Sequence, residues 1–484
     1  MWNFVKDHIW EILIVANYVL AILAIILILL KNINPTKTLS YIIVLAVFPG
    51  LGLIVYYFFG QDYRKFRMFK KRALLNQVNV QNWTDKLKIL EDKAFDLSSK
   101  ILEGNTKIIK LIDEQRYAPV TLYNQAEILV NGEAKFKRLI EDIQAAKSSI
   151  HMEYYIIRDD QIGSELIELL CQKSKQGVEV KISYDPVGSS LRNSSLSKLK
   201  KARVEIFPFM PIYFPRFASK INYRNHRKIV VIDGVIGYVG GINIGDEYIN
   251  APDREYWRDT HLRIHGQATG MLQLYFLLGW NFVSEQSIEV KQRWFPKSEV
   301  KNELPIQIIS SGPDMKWASI MEAMFAAINS AKRYVYLTTP YFIPNEEITL
   351  AMITAAKSGV DVRLLIPKNC DSKIAKYATY ASLTGLLRAG VEVYFYEKGN
   401  IHAKTIVADD VFSTIGTANM DNRSFHLNFE VNAMVYDNDT AIEMRELFLK
   451  DLESSSIIDL GRWENRGTVQ RLLESVCRLW APLL

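Results

Sequence analysis

The strongest constraint on how this chain folds is that most of it is written twice. IHMEYYI (150–156) reads as a strand, IGSELIELLCQKSKQG (162–177) as an amphipathic helix ending on glycine, and VEVKISYD (178–185) as a strand. The same order returns as YVYLTTPYFI (334–343), ITLAMITAAKSG (348–359) and VDVRLLIP (360–367). The junctions KQGVEVKI and KSGVDVRL nearly coincide, and ARVEIF (202–207) is answered by AGVEVYF (389–395). Such self-similarity marks a duplicated unit. Strand–helix–strand alternation within each copy predicts α/β layers, with helices covering a largely buried sheet.

Each copy then reaches the same polar signature. HRKIVVID (His226 to Asp233) and HAKTIVAD (His402 to Asp409) both spell His-x-Lys-x4-Asp, and Gly-x-x-Asn follows each at one offset, ending on Asn243 and Asn419. Lys228 to Ile232 is expected as a strand, Asp233-Gly234 as a two-residue hairpin turn and Val235 to Gly241 as the return strand, with Asp409-Asp410 as the turn of the second copy. That register pairs 232 with 235, so His226 faces Gly241 and His402 faces Thr417, with Asn243 and Asn419 two residues further on the same faces. Histidine and lysine at i and i+2 also share a face. Each copy therefore gathers an imidazole, an ammonium and a carboxamide. Asp233 and Asp409 fall at the turn, as structural groups away from the cluster.

Two imidazoles and two ammonium groups suit a phosphodiester. One imidazole attacks phosphorus, the other protonates the leaving oxygen, and the lysines and asparagines hold the phosphate oxygens as charge builds. The diester carries a single negative charge, so two lysines can take the place of a metal ion. The sequence has no HExxH, no DxD-type cluster and no Cys/His set, and neither a metal nor a cofactor is expected. His261 and His265, four apart in the strand-like WRDTHLRIHG, are read as structural. Cys171, Cys370 and Cys477 are far apart and odd in number, which suits buried thiols in a reducing compartment.

The N-terminal part is of another kind. Ile12 to Leu30 is a 19-residue apolar run broken only by Asn17, and Tyr41 to Phe59 is a second of 19, interrupted by Pro49, Gly50 and Gly52. Each matches the hydrocarbon thickness of a bilayer, so two transmembrane helices are expected, the second kinked or tightly packed. The loop between them carries Lys31 and Lys37; the exit carries Arg64, Lys65, Arg67, Lys70, Lys71 and Arg72. The excess of cations places the exit, the remainder of the chain and both termini on the cytoplasmic side. The basic run, with Tyr63, Phe66 and Phe69 interleaved, also suits anionic lipid headgroups. The domains expected are a membrane hairpin with its basic segment (1–72), a polar helical linker (73–115), a first half (116–305) and a second half (306–484).

HRKIVVIDGVIGYVGGIN and HAKTIVADDVFSTIGTAN resemble the paired His-Lys-Asp motifs of the phospholipase D superfamily, over most of residues 120–450. With two N-terminal spans, the whole chain resembles the bacterial cardiolipin synthases. The resemblance implies two phospholipase-D-like α/β/α halves packed about a pseudo-two-fold axis, with one active site between them. It implies a covalent phosphatidyl-histidine and the joining of two phosphatidylglycerols into cardiolipin with release of glycerol. It names His226, Lys228, Asp233, His402, Lys404 and Asp409 as the active-site set. It also implies a downstream carboxylate for each histidine: Glu430 in NFEVN for His402, and Asp259 in WRDTH for His226. The serine often found at the place of Gly241 or Thr417 is missing from the first copy. His226 is assigned as nucleophile and His402 as general acid, then base, with the reverse assignment left open by the near symmetry of the two copies.

Two segments stay open. The first copy carries an insertion, FPFMPIYFPRFASKINYRN (207–225), too proline-rich for a regular element. It is either a packed loop or a lipid-facing lip, and the membrane anchor favours the lip. At 462–484, Leu472, Val476, Leu479 and Trp480 share one helical face, which either docks on the second half or lies in the membrane interface. The formal charge of +6 is modest for 484 residues and argues against a nuclease; the partners expected are phosphatidylglycerol and anionic membrane lipid, without nucleic acid. The competing readings are a membrane phospholipase D using water as acceptor, and a membrane scaffold with a dead site.

Overall fold

The computed structural model of the protein describes residues 8–30, 35–59, 91–104, 106–113, 118–210, 223–285, 291–315, 317–370 and 372–481. The chain divides into two compact units, with residues 1–73 in the first and most of 74–484 in the second.

In the first unit the helix Ile9–Leu30 has 22 residues, roughly 33 Å at 1.5 Å each, long and apolar enough to cross a membrane. The second expected span is not one helix. It is two, Pro35–Val47 and Pro49–Phe59, folded back on each other. The ring of Tyr41 meets that of Tyr56 edge-on at 5.7 Å, whereas one continuous helix would hold them about 22 Å apart. Proline supplies the break, since Pro49 offers no N–H and disfavours helical backbone at Phe48. Glycine supplies the closeness: a Cβ on Gly52 would stand 2.7 Å from the Cα of Leu45. A Cβ on Gly50, at the tip, would lie 3.6 Å from Asn17 Nδ2, halfway along the first helix. At about 20 and 17 Å, neither arm spans a hydrocarbon core of about 30 Å.

The second unit is built on one 15-stranded sheet, and the duplication is visible in its order. The halves join where Val120–Val130 pairs antiparallel with Glu303–Ser311. From Val120–Val130 the first half runs outward through Thr260–Gly266, Ile236–Gly240, Ile229–Ile232, Ser149–Tyr154, Glu179–Tyr184 and Glu205–Pro208. From Glu303–Ser311 the second half runs through Glu430–Val435, Phe412–Gly416, Thr405–Ala408, Tyr334–Thr338, Asp361–Pro367 and Glu392–Tyr396, with Ser455–Ile457 on its edge. The expected boundary at 305/306 thus falls inside the first strand of the second half. Helices cover both faces. Ile229 and Val231 pack toward Met271, Leu272 and Tyr275 of the helix Gln267–Ser284, while Val230 and Ile232 point the other way, into a core shared with Leu166 and Leu170 of Gln161–Lys175. Alternate burial on two faces explains why these strands read as continuous β-branched runs.

The matched junctions have a backbone cause. Gly177, Gly359 and Gly390 have φ of 95°, 92° and 91°, and the residue after each donates to the carbonyl five back, as in Val178 N to Lys173 O at 3.1 Å. This helix ending favours glycine. The fourth junction has Arg203 at φ 66° instead.

Three further expectations change. The described part of the 73–115 linker is not a free spacer: helices Glu91–Ile101 and Lys107–Asp113 bury Ala94, Ile108, Ile109 and Ile112 in the core of the second half, because their apolar residues fall at helical spacing. The hairpins are wider than predicted. Ile232 pairs with Ile236 and Ala408 with Phe412, so three residues bridge the strands and the predicted facing of His226 with Gly241 and His402 with Thr417 does not form. Most of the aromatic insertion, 211–222, lies outside the described residues. Its leading end is core, with Phe209 buried against Phe282 and Phe429 at 5.3 and 5.2 Å.

Candidate active site

The aspartates of the two motifs do the same work in each half. Asp233 accepts from the backbone N–H groups of Lys147, Ser148 and Ser149 at 2.8, 2.6 and 2.9 Å. Asp409 accepts from those of Lys332, Arg333 and Tyr334 at 2.6, 2.8 and 2.9 Å. Each carboxylate pins the hairpin turn to the entry of the neighbouring strand by satisfying three backbone donors there.

At the other end of each motif the chain crosses to the opposite half. His226 donates its backbone N–H to Phe429 O at 3.0 Å, and Phe429 returns one to Arg224 O at 2.9 Å. His402 donates to Arg258 O at 2.7 Å, extending the parallel pairing of Gly399–Ile401 with Tyr256–Arg258. The residue after Phe429 is Glu430, and the residue after Arg258 is Asp259. His226 Nδ1 therefore stands 3.0 Å from both carboxylate oxygens of Glu430, and His402 Nδ1 2.8 Å from Asp259 Oδ2. This corrects the pairing drawn from the resemblance: the partners are exchanged, Glu430 serving His226 and Asp259 serving His402. The reason is the cross-half strand contact, which brings the carboxylate of one copy to the imidazole of the other.

Both imidazoles are 12% exposed. Tyr155 stands edge-on to His226 at 5.1 Å, and Trp257 is tilted against His402 at 5.2 Å. Lys228 and Lys404 are buried; Lys228 Nζ donates to His226 O at 2.7 Å, and Lys404 Nζ lies 2.8 and 3.1 Å from Nδ1 and Nε2 of His402. Burial pushes the His226 imidazole well below its usual range, helped by Lys228, Lys404 and Arg423. Burial, then Lys404, bring His402 down to about 4, against the upward pull of Asp259. Burial lowers Lys228 to about 7 although Glu430 favours its charge. Burial raises Glu430 to about 7, opposed first by Lys228. Each lysine thus acts on both imidazoles, so the charges of the two halves converge. A carboxylate at Nδ1 holds the ring proton there and leaves the lone pair on Nε2. The site can present one neutral imidazole to an electrophile while cationic groups attract an anion.

The supporting residues differ between the halves. Thr417 does not face His402; its hydroxyl donates to Glu430 and so steadies the carboxylate under His226. At the matching place in the first half, Gly241 leaves room for Asp259: a Cβ there would lie 2.2 Å from Asp259 Oδ1. The first-copy hydroxyl is missing because Asp259 fills its space. The carboxamide of Asn243 is engaged by Ile156 N–H at 3.2 Å and Tyr248 Oη at 2.8 Å rather than brought to His226. Asn419 is buried, its backbone N–H on Ser424 Oγ at 3.2 Å and its Oδ1 without a hydrogen-bond partner among the described residues. His261 is fully buried beneath Gly240 and His265 is partly buried, both on the strand Thr260–Gly266. Sequence reasoning missed Tyr155, Trp257 and Arg423 at the histidines. It also missed Arg227, whose guanidinium joins the halves through Ser310 and the carbonyl of Glu430. The available signal for Arg227 was its place inside the motif, between His226 and Lys228.

Comparisons with known proteins agree with this architecture. A family model described as "Cardiolipin synthase, PLD-like domain" matches residues 139–257 and 324–452, one stretch in each half, and one described as "Phospholipase_D-nuclease N-terminal" matches 19–61. The chain is 43% identical over 464 residues to cardiolipin synthase 2 of Bacillus anthracis, covering 94% of this chain and 88% of that protein. It is 42% identical over 462 residues to the cardiolipin synthase of Halalkalibacterium halodurans (95% and 91%), and 38% over 470 to the major cardiolipin synthase of Bacillus subtilis (96% and 97%). Among solved structures, phosphatidylserine synthase of Haemophilus influenzae shares the fold, with a TM-score of 0.59 at 16% identity, covering 78% of this chain and all of that one. Two matched stretches carrying a duplicated His-Lys-Asp motif, and relatives alike over nearly the whole length, place the chain in the bacterial cardiolipin synthase family of phospholipase-D-like proteins.

Proposed function

We propose that the protein is a membrane-bound cardiolipin synthase that transfers a phosphatidyl group from one phosphatidylglycerol to another. The observation that carries this reading is the exchanged pair of carboxylates, which meets two imidazoles, one from each half, through Nδ1 within one cationic site. The nucleophile is His226. Lys404 Nζ stands 3.1 Å from Nε2 of His402, an ammonium contact that competes for the lone pair His402 would need to attack. His226 Nε2 attacks phosphorus and forms the N–P bond of a phosphatidyl-histidine; the P–O bond to the departing glycerol breaks, and that oxygen takes a proton from His402. The bound diester anion supports the protonated state of His402 that this step requires. A hydroxyl of the second phosphatidylglycerol then attacks, giving its proton back to His402, and cardiolipin leaves as the N–P bond breaks. Lys228 and Lys404 hold the non-bridging oxygens, and Asp233 and Asp409 set the hairpins that carry them. Purified protein given labelled phosphatidylglycerol in detergent yields cardiolipin and glycerol. Phosphatidic acid as product would assign water as acceptor instead, and no product would mean an inactive scaffold.

The catalytic unit lies on the cytoplasmic side on this reading, and the chain crosses the bilayer once. The folded-back pair of helices leaves on the side where it entered, which supports an N-terminus on the far side rather than the two crossings expected from sequence. The cations follow suit: Lys31, Lys37 and the six from Arg64 to Arg72 lie after the spanning helix, against Lys6 before it. A protease-cleavable tag at the N-terminus is cut from outside intact cells; protection there with cleavage in inverted vesicles would restore two crossings.

A further inference from the structure

The C-terminal helix is inside out with respect to the body it sits on. Thr468–Arg478 packs beside the helix Lys373–Arg388, and its most deeply buried side chain is the carboxylate of Glu474. Glu474 is 2% exposed and receives both arms of Arg466, at 2.9 and 2.6 Å, together with Gln470 Nε2 at 3.0 Å. Arg466 is fixed in turn by Thr384 Oγ1 at 3.2 Å and by the Trp463 carbonyl at 2.7 Å. The side turned outward carries Val469, Leu472, Leu473, Val476, Leu479 and Trp480, between 42% and 77% exposed. A surface helix normally does the reverse. An ion-paired anchor inside and a row of large apolar groups outside form a surface made to be covered.

Its position is as telling as its polarity. Ala481, just past the helix, accepts from Asn422 Nδ2 at 3.4 Å, and Cys477 and Ala481 pack on Ile343, Ala375 and Ala378. Asn422 adjoins Arg423, whose charge acts on His226. The apolar row therefore ends beside the residues that lead into the catalytic site. Exposed cations border it: Arg471 and Arg478 on the helix itself and Lys373 at the start of its neighbour.

We propose that this face enters the interface of an anionic phospholipid bilayer and sets the mouth of the active site against the lipid headgroups. An apolar row edged by arginines fits acyl chains below anionic headgroups. A second copy of this chain would bring the same arginines face to face, which disfavours it as the occupant. The choice of phospholipid as substrate rests on the proposed function; the binding face does not.

The test uses the full chain in proteoliposomes rich in phosphatidylglycerol, against Leu472→Glu/Leu479→Glu. The double variant loses at least tenfold in activity on vesicles. It keeps wild-type activity on a short-chain phosphatidylglycerol presented as monomers in detergent-solubilised protein, which shows the site is intact. Equal activity on vesicles, or an equal loss on both substrates, overturns the proposal. Fluorescence quenching by brominated lipid, taken as the difference between wild type and Trp480→Phe, reads contact without relying on the charged variant. Quenching of the Trp480 signal supports insertion. Quenching only by aqueous iodide overturns it, as does shielding that grows with protein concentration in the absence of lipid. Lipid contact by Trp480 in a protein that makes no cardiolipin would leave this face standing and remove the proposed function.

Discussion

The exchange of carboxylates between halves makes a prediction that no same-half pairing makes. Asp259→Asn removes the charge 2.8 Å from His402 Nδ1 without touching His226. If the new amide turns its oxygen to Nδ1, the loss is a charge-assisted bond of about 1.5–3 kcal/mol, roughly ten- to a hundredfold or slightly more in rate. If it turns its N–H, the ring proton moves to Nε2, and the loss approaches the ~10⁴-fold seen when a triad histidine is held in the wrong tautomer. The damage falls on proton transfer to the departing oxygen. A phosphatidyl ester of nitrophenol needs no such proton. Single-turnover release of nitrophenolate by Asp259→Asn is therefore restored at least tenfold relative to its defect with phosphatidylglycerol. Glu430→Gln, which strikes the nucleophile through His226, is equally slow with both substrates. If Glu430→Gln is rescued and Asp259→Asn is not, His402 is the nucleophile and His226 the general acid. If neither substrate distinguishes the variants, the division of labour is refuted.

Other consequences follow from the same geometry. Gly241→Ala sets a Cβ 2.2 Å from Asp259 Oδ1, so activity falls at least a hundredfold while Thr417→Ser, which keeps the hydroxyl on Glu430, stays within a few-fold. Lys228, lowered to about 7, is an ammonium below that pH and loses its charge as pH rises through it. kcat/KM accordingly falls above about pH 7, and kcat holds further because a bound phosphodiester keeps the lysine protonated; a kcat/KM flat to pH 9 contradicts this. Asp409→Asn weakens a carboxylate that takes three backbone N–H groups and costs about 1–3 kcal/mol in urea or thermal unfolding, with most of the turnover kept well below the melting point. Arg203→Gly relieves a non-glycine residue at φ 66° and raises stability by about 1 kcal/mol, read as a shift of the unfolding midpoint.

Much of the fold was legible in the sequence because it was written twice. The matched junctions reported helix endings at Gly177 and Gly359, and the matched β-branched runs reported strands buried on both faces. The turn position of Asp233 followed from the Asp-Gly pair after a β-branched run, and that of Asp409 from the repeat. What stayed hidden depends on contacts between distant segments. Nothing near His226 in sequence indicates Glu430; the link is a strand contact across the two halves, through Phe429. The second apolar run has the length of a span, and periodicity cannot distinguish one kinked helix from two folded back; the contact of Gly52 with Leu45 decides it. The C-terminal row was readable as amphipathic, but which side faces the body depends on Arg466, which sits outside the helix and reaches back to Glu474.

The proposed chemistry turns on a covalent phosphatidyl group on one named histidine. Protein is mixed briefly with phosphatidylglycerol, quenched at high pH where an N–P bond survives, digested and read by mass spectrometry. The phosphatidyl adduct is expected on the peptide carrying His226, accumulating in His402→Ala when the nitrophenyl ester is the donor. An adduct on His402, or cardiolipin formed with neither histidine ever labelled, would refute the assignment.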